Sequence, residues 1–147
     1  MSNIKEYLSI EHTKCDDLFV KMEETANISL EEAQELCKEF MEATEHHFQK
    51  EERVVFPKFE EKTGMVEGPT QMMKHEHTQM RALMKNMLAS LESGNKDKFF
   101  GYSETLMILL QQHNMKEEQM LYPMMQQHLN AESDDIVDMM TSMKTEY

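Results

Sequence analysis

The sequence predicts an all-α protein, an up-down-up-down four-helix bundle followed by a short C-terminal helix. Glycine and proline are scarce, with 4 and 3 residues among 147. Apolar side chains recur at three-to-four-residue spacing through four long segments, which is the period of an amphipathic helix. Short turn signals separate these segments, and helices joined by short connections pack as antiparallel neighbours. We therefore expect a single domain over residues 1–147.

Turn signals set the expected bounds of each helix. TANIS ends the first helix, and Ser29 with Glu32 forms a capping box for the second. Pro69 suits the first turn of the third helix, and Gly94 suits the end of that helix as a C-cap. NAES precedes an amphipathic tail. The predicted helices are 3–25, 30–62, 69–92 and 96–129, with the tail at 134–144.

Each helix carries one inward stripe, and each stripe contains a histidine where packing alone would favour an aliphatic residue. Two stripes also contain a glutamate. The four stripes are Ile4, Leu8, His12, Cys15, Phe19 and Met22; Ala33, Leu36, Phe40, Ala43, His47, Glu51 and Val54; Met73, His77, Met80, Met84, Met87 and Leu91; and Leu106, Leu110, His113, Glu117, Met120 and Met124.

The chain contains an internal repeat, over 11–57 and 76–123. HHFQKEERVVFP and QHNMKEEQMLYP share His, three residues, Glu-Glu, three residues, an aromatic residue and Pro. Upstream, EHTKCDDL and EHTQMRAL share Glu-His-Thr and a later Leu. Each half is thus predicted to be a helical hairpin, and two hairpins are expected to pack around a pseudo-twofold axis.

This repeat predicts a metal centre on the bundle axis. Residues four apart on a helix lie about 40° apart in azimuth and about 6 Å apart along the axis, so each H-x3-E pair points one way. Buried glutamates without a counter-charge would cost several kcal/mol each, and metal ions are the natural counter-charge. Two ions suit the twofold set, with two histidines each and both glutamates bridging. The predicted metal ligands are His12, His47, Glu51, His77, His113 and Glu117.

Imidazole and carboxylate ligands together favour two non-haem iron ions, although manganese or zinc would also fit. About four protein ligands per ion would leave coordination positions open for water or a diatomic molecule, unlike a closed structural site. No nucleophile or acid-base pair accompanies the ligands. We therefore expect a protein that binds metal and a small molecule rather than a classical enzyme.

The remaining histidines are predicted to lie at the surface. His46 is turned about 100° from His47. His75 lies about 200° from His77. His128 lies about 22 Å along the axis beyond the ligand histidine of its own helix. None of the three is predicted to be a ligand.

Several residues near the ligands have other expected roles. Asp16, four residues after His12, is either a carboxylate that orients this imidazole or a solvated surface acid. Glu52 and Glu118 are predicted to point away from the ligand face.

Pro57 and Pro123 follow the two ligand turns and are expected to bend both helices, since proline lacks a backbone N–H. Phe56 and Tyr122 occupy matching positions before these prolines, and because of this equivalence Tyr122 is not predicted to be a radical site.

Charge and composition exclude several function classes. A formal charge of -13 is unsuited to nucleic acid or anionic membranes, which require basic patches. The sequence has no apolar run near 18 residues and no signal-peptide layout at its N-terminus. Two cysteines without a paired framework suit a reducing compartment, so a cytoplasmic protein is expected.

These motifs resemble the hemerythrin-like, HHE cation-binding family, in the order EHTKCDDLF, HHFQKEERVVFP, KHEHTQMRALM and QHNMKEEQMLYP. The resemblance implies a four-helix bundle around an oxo- or hydroxo-bridged di-iron centre, with the six residues named above as ligands. Oxygen-carrying hemerythrins have H-x3-H on the third helix, where Met73 stands here four residues before His77. Their fourth helix has H-x4-D, where this chain has H-x3-E ending at Glu117. The set of four His and two Glu is more similar to iron-sulfur repair proteins.

We expect a di-iron protein that binds or reacts with oxygen, nitric oxide or peroxide, in sensing or stress response. One alternative is iron handling or donation to an acceptor protein, including iron-sulfur centre repair. Another is a zinc-stabilised structural bundle.

Overall fold

Five helices make up most of residues 3–144, the part of the chain that the computed structural model describes. Residues 1–2 and 145–147 of the expected domain lie outside it. The elements are α1, Ile4–Ile28; α2, Leu30–Lys50, which continues through a π-helical turn at Glu51–Val55 to Phe56–Thr63; α3, Pro69–Glu92; α4, Lys96–Lys116, which continues through a π-helical turn at Glu117–Leu121 to Tyr122–His128; and α5, Ser133–Ser142. No strand occurs within the described residues, and the predicted all-α bundle is confirmed.

The helix ends follow the turn signals closely. The Ser29 side chain accepts a hydrogen bond from the Glu32 N–H at 3.2 Å, as the capping box predicts. α1 runs to Ile28 rather than to 25, because only Ser29 leaves the helical conformation. Gly94 has a φ of +73°, the left-handed conformation that favours glycine after a helix.

The helices pack as two hairpins joined side by side. α1 packs against α2, α3 packs against α4, and α2 contacts α3 across the bundle. The C-terminal part of α4 contacts α1, and α5 packs against α1 and the π-helical turn of α2. None of these helices has a stretch long and apolar enough to cross a membrane within the described residues.

Two apolar clusters lie on either side of the inward histidines and glutamates. One contains Cys15, Phe40 and Met80, and the other contains Leu8 and Tyr122 together with the buried face of α5. The turns that carry His47 with Glu51 and His113 with Glu117 lie where each helix passes from one cluster to the other. The polar side chains are therefore enclosed along the bundle axis rather than at its end.

The predicted stripes of α1 and α3 are buried throughout. The end of the α4 stripe is wrong: Met120 is 63% exposed and Met124 is only partly buried, whereas Leu121 and Met125 are buried. The π-helical turn that begins at Glu117 explains this shift. Its i→i+5 hydrogen bonding uses one more residue per turn, so each later inward position moves forward by one.

Candidate metal centre

The structure brings all six predicted ligands together. Their donor atoms fall into two overlapping groups, in each of which all atoms lie within 4.8 Å of one another. The groups are Glu51, His77, His113 and Glu117, and His12, His47 and Glu117. None of the six residues is more than 4% exposed. That they bind metal stays a prediction, but their convergence is a property of the fold.

The two glutamates connect the two pairs of histidines. Glu51 Oε1 lies 3.1 Å from His77 Nε2, and its Oε2 lies 3.6 Å from His47 Nε2. Glu117 Oε1 lies 3.1 Å from His12 Nε2 and 3.2 Å from His113 Nε2. Each carboxylate thus contacts one imidazole of each half of the repeat. This is the arrangement that bridging carboxylates require.

Every inward histidine has a carboxylate on its outer nitrogen, Nδ1. The four pairs are His12–Glu118 at 2.6 Å, His47–Glu11 at 2.9 Å, His77–Glu52 at 2.6 Å and His113–Glu76 at 2.7 Å. A carboxylate on Nδ1 accepts the Nδ1–H and leaves the Nε2 lone pair free to bind a metal. The four imidazoles therefore all present Nε2 to the bundle axis.

The prediction that Glu52 and Glu118 point away from the site is wrong, because both are among these four carboxylates. Both are only partly buried, but each reaches across to a histidine of the other half. Asp16 is exposed, and Glu118 takes the orienting role considered for it. Sequence spacing could not reveal these pairs, because they join helices whose rotation is set only by packing.

Glu11 and Glu76 were missed as well, although the repeat contains a signal for them, since each directly precedes a ligand histidine in EHT. Lys50 and Lys116, which precede the candidate ligands Glu51 and Glu117, make short contacts with these two carboxylates. Burial opposes ionisation, but His47 and Lys50 lower the pKa of Glu11. The same balance, with Lys116 and His113, lowers the pKa of Glu76. Both carboxylates therefore stay ionised as acceptors for imidazole N–H groups.

Tyr122 is a site residue that the sequence reasoning did not assign. Its hydroxyl is fully buried among the six candidate ligands and donates to Glu51 Oε2 at 2.6 Å. In an α-helix, a residue five after Glu117 would point about 140° away from it. Here the Tyr122 N–H bonds Glu117 O in the π-helical turn, which brings residues five apart onto one face. Only knowledge of this turn could have revealed its role.

Phe56 occupies the matching position in the first half and has no hydroxyl. Its ring is stacked on His77 at 6.1 Å between centroids, and Phe48 is stacked on the same imidazole at 3.9 Å. One side of the centre is therefore bounded by hydrocarbon rings and the other by a phenol.

The unpartnered donor atoms of the site also suit a cation. Among residues 3–144, four inward atoms are buried without a hydrogen-bond partner: Glu51 Oε1, His77 Nε2, His113 Nε2 and Glu117 Oε2. Burying such groups unpaired costs free energy, which a metal ion would offset. Burial opposes ionisation of Glu51, but the charge of His47 lowers its pKa well below the ordinary value. The donors present thus fit a divalent cation.

The other histidines lie outside the cluster. His75 and His128 are exposed, as predicted. His46 is partly buried, and its Nε2 lies 2.8 Å from the Met143 carbonyl oxygen. Met73 is 2% exposed and belongs to an apolar cluster.

Comparison with protein families gives a match over most of the chain. The family model described as the hemerythrin HHE cation binding domain matches residues 3–125. Searches of curated proteins and of solved structures gave no match.

Proposed function

This chain belongs to the hemerythrin HHE cation-binding domain family, and on that premise we propose that it is a di-iron protein that binds or reacts with a small oxidant. The oxidant would be oxygen, nitric oxide or peroxide, in sensing or stress response. The observation that carries the proposal is the pairing of imidazole donors across two glutamates that each contact both pairs. Two such donor sets sharing two carboxylates suit two cations better than one.

His12 and His47 would hold one ion, His77 and His113 the other, and Glu51 and Glu117 would bridge them. The carboxylates on Nδ1 keep each ring fixed in orientation and tautomer. When bound, a pair of iron ions would supply exchangeable electrons and open coordination positions for the small ligand.

Burial supports a small ligand rather than a large one. The six proposed ligand residues are at most 4% exposed, and apolar clusters lie on both sides of them. Phe48 and Phe56 cover His77 with flat hydrocarbon faces. Such walls favour a small ligand over a large one.

The proposal is tested with protein loaded with iron(II) under anaerobic conditions. Metal analysis should find two iron ions per chain, and adding oxygen, nitric oxide or peroxide should change the visible absorption. The matched control is His77→Ala with His113→Ala, which should lose the response while keeping the helical circular dichroism. A wild-type protein silent toward all three molecules, and rapid transfer of its iron to an apo acceptor, would favour iron handling instead. Stoichiometric zinc without iron in protein isolated from cells would favour a zinc-stabilised bundle.

A further inference from the structure

The two proposed metal positions differ in what their donor atoms contact. We name as the first position the atoms His12 Nε2, His47 Nε2, Glu51 Oε2 and Glu117 Oε1. We name as the second position the atoms His77 Nε2, His113 Nε2 and Glu51 Oε1, which Glu117 completes. These three atoms lack a hydrogen-bond partner among the described residues.

All four atoms of the first position surround the hydroxyl of Tyr122. The hydroxyl oxygen lies 2.6 Å from Glu51 Oε2, 3.0 Å from Glu117 Oε1, 3.0 Å from His12 Nε2 and 3.3 Å from His47 Nε2. Metal–ligand bonds to such atoms are about 2.0–2.2 Å long. A cation bound by His12, His47 and Glu117, whose donor atoms lie within 4.8 Å of one another, would therefore lie in or beside the space that the hydroxyl fills.

The hydroxyl is held firmly in this place. Tyr122 is fully buried, and its ring is stacked on His12 at 5.5 Å between centroids with an interplanar angle of 27°. Its backbone N–H is bonded to the Glu117 carbonyl oxygen in the π-helical turn. The side chain therefore has no solvent to turn toward.

On the basis of the proposed two-metal centre, we propose that the Tyr122 hydroxyl competes with metal for the first position. The second position therefore binds metal more tightly, and metal occupies it before the first position. A cation at the second position meets three donors that have no hydrogen bond to give up. A cation at the first position must displace a hydroxyl that is bonded to the Glu51 carboxylate at 2.6 Å. The matching residue of the other half, Phe56, cannot compete in this way.

This competition would give the protein a distinct one-metal state. In that state the second position holds the ion between His77 and His113, and Tyr122 still closes the first. Filling of the first position would then depend on metal concentration over a range in which the second position is already full.

The experiment is a titration of metal-free protein with zinc(II), which binds imidazole and carboxylate without redox chemistry. Calorimetry with chelator competition gives the two stepwise affinities, and 15N imidazole NMR shows which histidines respond first. At one equivalent, we expect the His77 and His113 signals to shift while those of His12 and His47 stay in place. Because a hydrogen bond to a charged group is lost, Tyr122→Phe should tighten the second binding step about tenfold or more.

Phe56→Tyr is the matched variant, because it places a hydroxyl at the repeat-related position of the other half. It should weaken binding at the second position and reduce or reverse the order of filling. Since Phe56 is fully buried, circular dichroism must first show that this variant folds. If it does not fold, Tyr122→Phe, which only removes one oxygen atom, still decides the question.

The outcomes separate this inference from the proposed function. Equal response of all four histidines, or an unchanged second step in Tyr122→Phe, would overturn the competition and leave the two-metal centre intact. A weaker second step in Tyr122→Phe would also overturn it, because the phenol would then be a ligand. A wild-type protein that binds no zinc and no iron would overturn both.

Discussion

The two halves of the repeat, residues 11–57 and 76–123, supply the same ligand types at the same spacing, yet they build unequal surroundings. In the second half, Arg81 bonds Glu52 through both terminal nitrogens and bonds Glu45 through Nε. The repeat-related residue in the first half is Asp16, an exposed acid. Likewise, the second half has the phenol of Tyr122 where the first half has the phenyl ring of Phe56. Repeated residues therefore define the candidate ligands, and unrepeated ones distinguish the two positions.

Removing a proposed glutamate ligand should have the largest effect, because it affects both halves at once. Glu51→Ala and Glu117→Ala should each lower metal affinity by at least about 100-fold. Mutation of residues that only support a metal ligand can already cost that much. Chelator-competition titrations of both variants measure the loss, with Glu24→Ala, an exposed glutamate, as control. Either variant retaining two tight positions would show that the halves do not share their carboxylates.

Replacing Glu11 and Glu76, the carboxylates bonded to His47 and His113, tests a feature that the two halves should share. Glu11→Gln and Glu76→Gln each keep the shape of the side chain but remove its charge from a His–Glu–Lys set. Each should reduce metal affinity about 10- to 100-fold, since a less basic partner holds the imidazole less well. Losses that differ by more than tenfold between the two would mean that these sets are not equivalent.

Substitutions of Arg81 and of Asp16 should have different effects on stability, because the two halves differ at this repeat position. Arg81→Ala should destabilise the fold by about 1–2 kcal/mol, because the partly buried Glu52 and Glu45 lose a charged donor. Asp16→Ala, at the repeat-related position, should change stability by less than about 0.5 kcal/mol, as is usual for exposed sites. Urea unfolding of both variants measures the difference. Equal effects would show that the arginine network contributes nothing specific to the second half.

Cys37 gives a difference that appears only at alkaline pH. Burial, with the nearby Glu92 charge, raises the pKa of this thiol from 9.0 to about 12. Below about pH 9 the thiol is protonated both folded and unfolded, so its contribution to stability is full. Between pH 9 and pH 12 the unfolded chain releases the proton first, and that contribution falls by about 1.4 kcal/mol per pH unit.

The comparison is with Cys37→Ala, whose stability should fall less steeply over the same pH range. Ser103 stands at the repeat-related position of the second half, and its hydroxyl donates to Glu23 at 2.9 Å. Ser103→Ala should therefore leave the alkaline slope at its wild-type value. Identical slopes for wild type and Cys37→Ala, measured by urea unfolding at several pH values, would contradict the prediction.

Much of the fold and of the candidate site could be predicted from the sequence, because both depend on local periodicity. Residues four apart on a helix face the same way, so the convergence of His47 with Glu51 and of His113 with Glu117 followed from spacing alone. Turn chemistry at Ser29 and Gly94 likewise placed helix ends within a few residues. The error at Met120 arose where that periodicity changes, within the π-helical turn.

The sequence by itself determined the bundle, its internal repeat and the six side chains that meet on its axis, because these follow from the helical period and from turn residues. Only the tertiary structure decided which carboxylate orients which imidazole, and that Tyr122 rather than Met120 turns inward. The physical reason is that both depend on the relative rotation of helices. Packing and one wider hydrogen-bonded turn set that rotation, and residue spacing does not encode it.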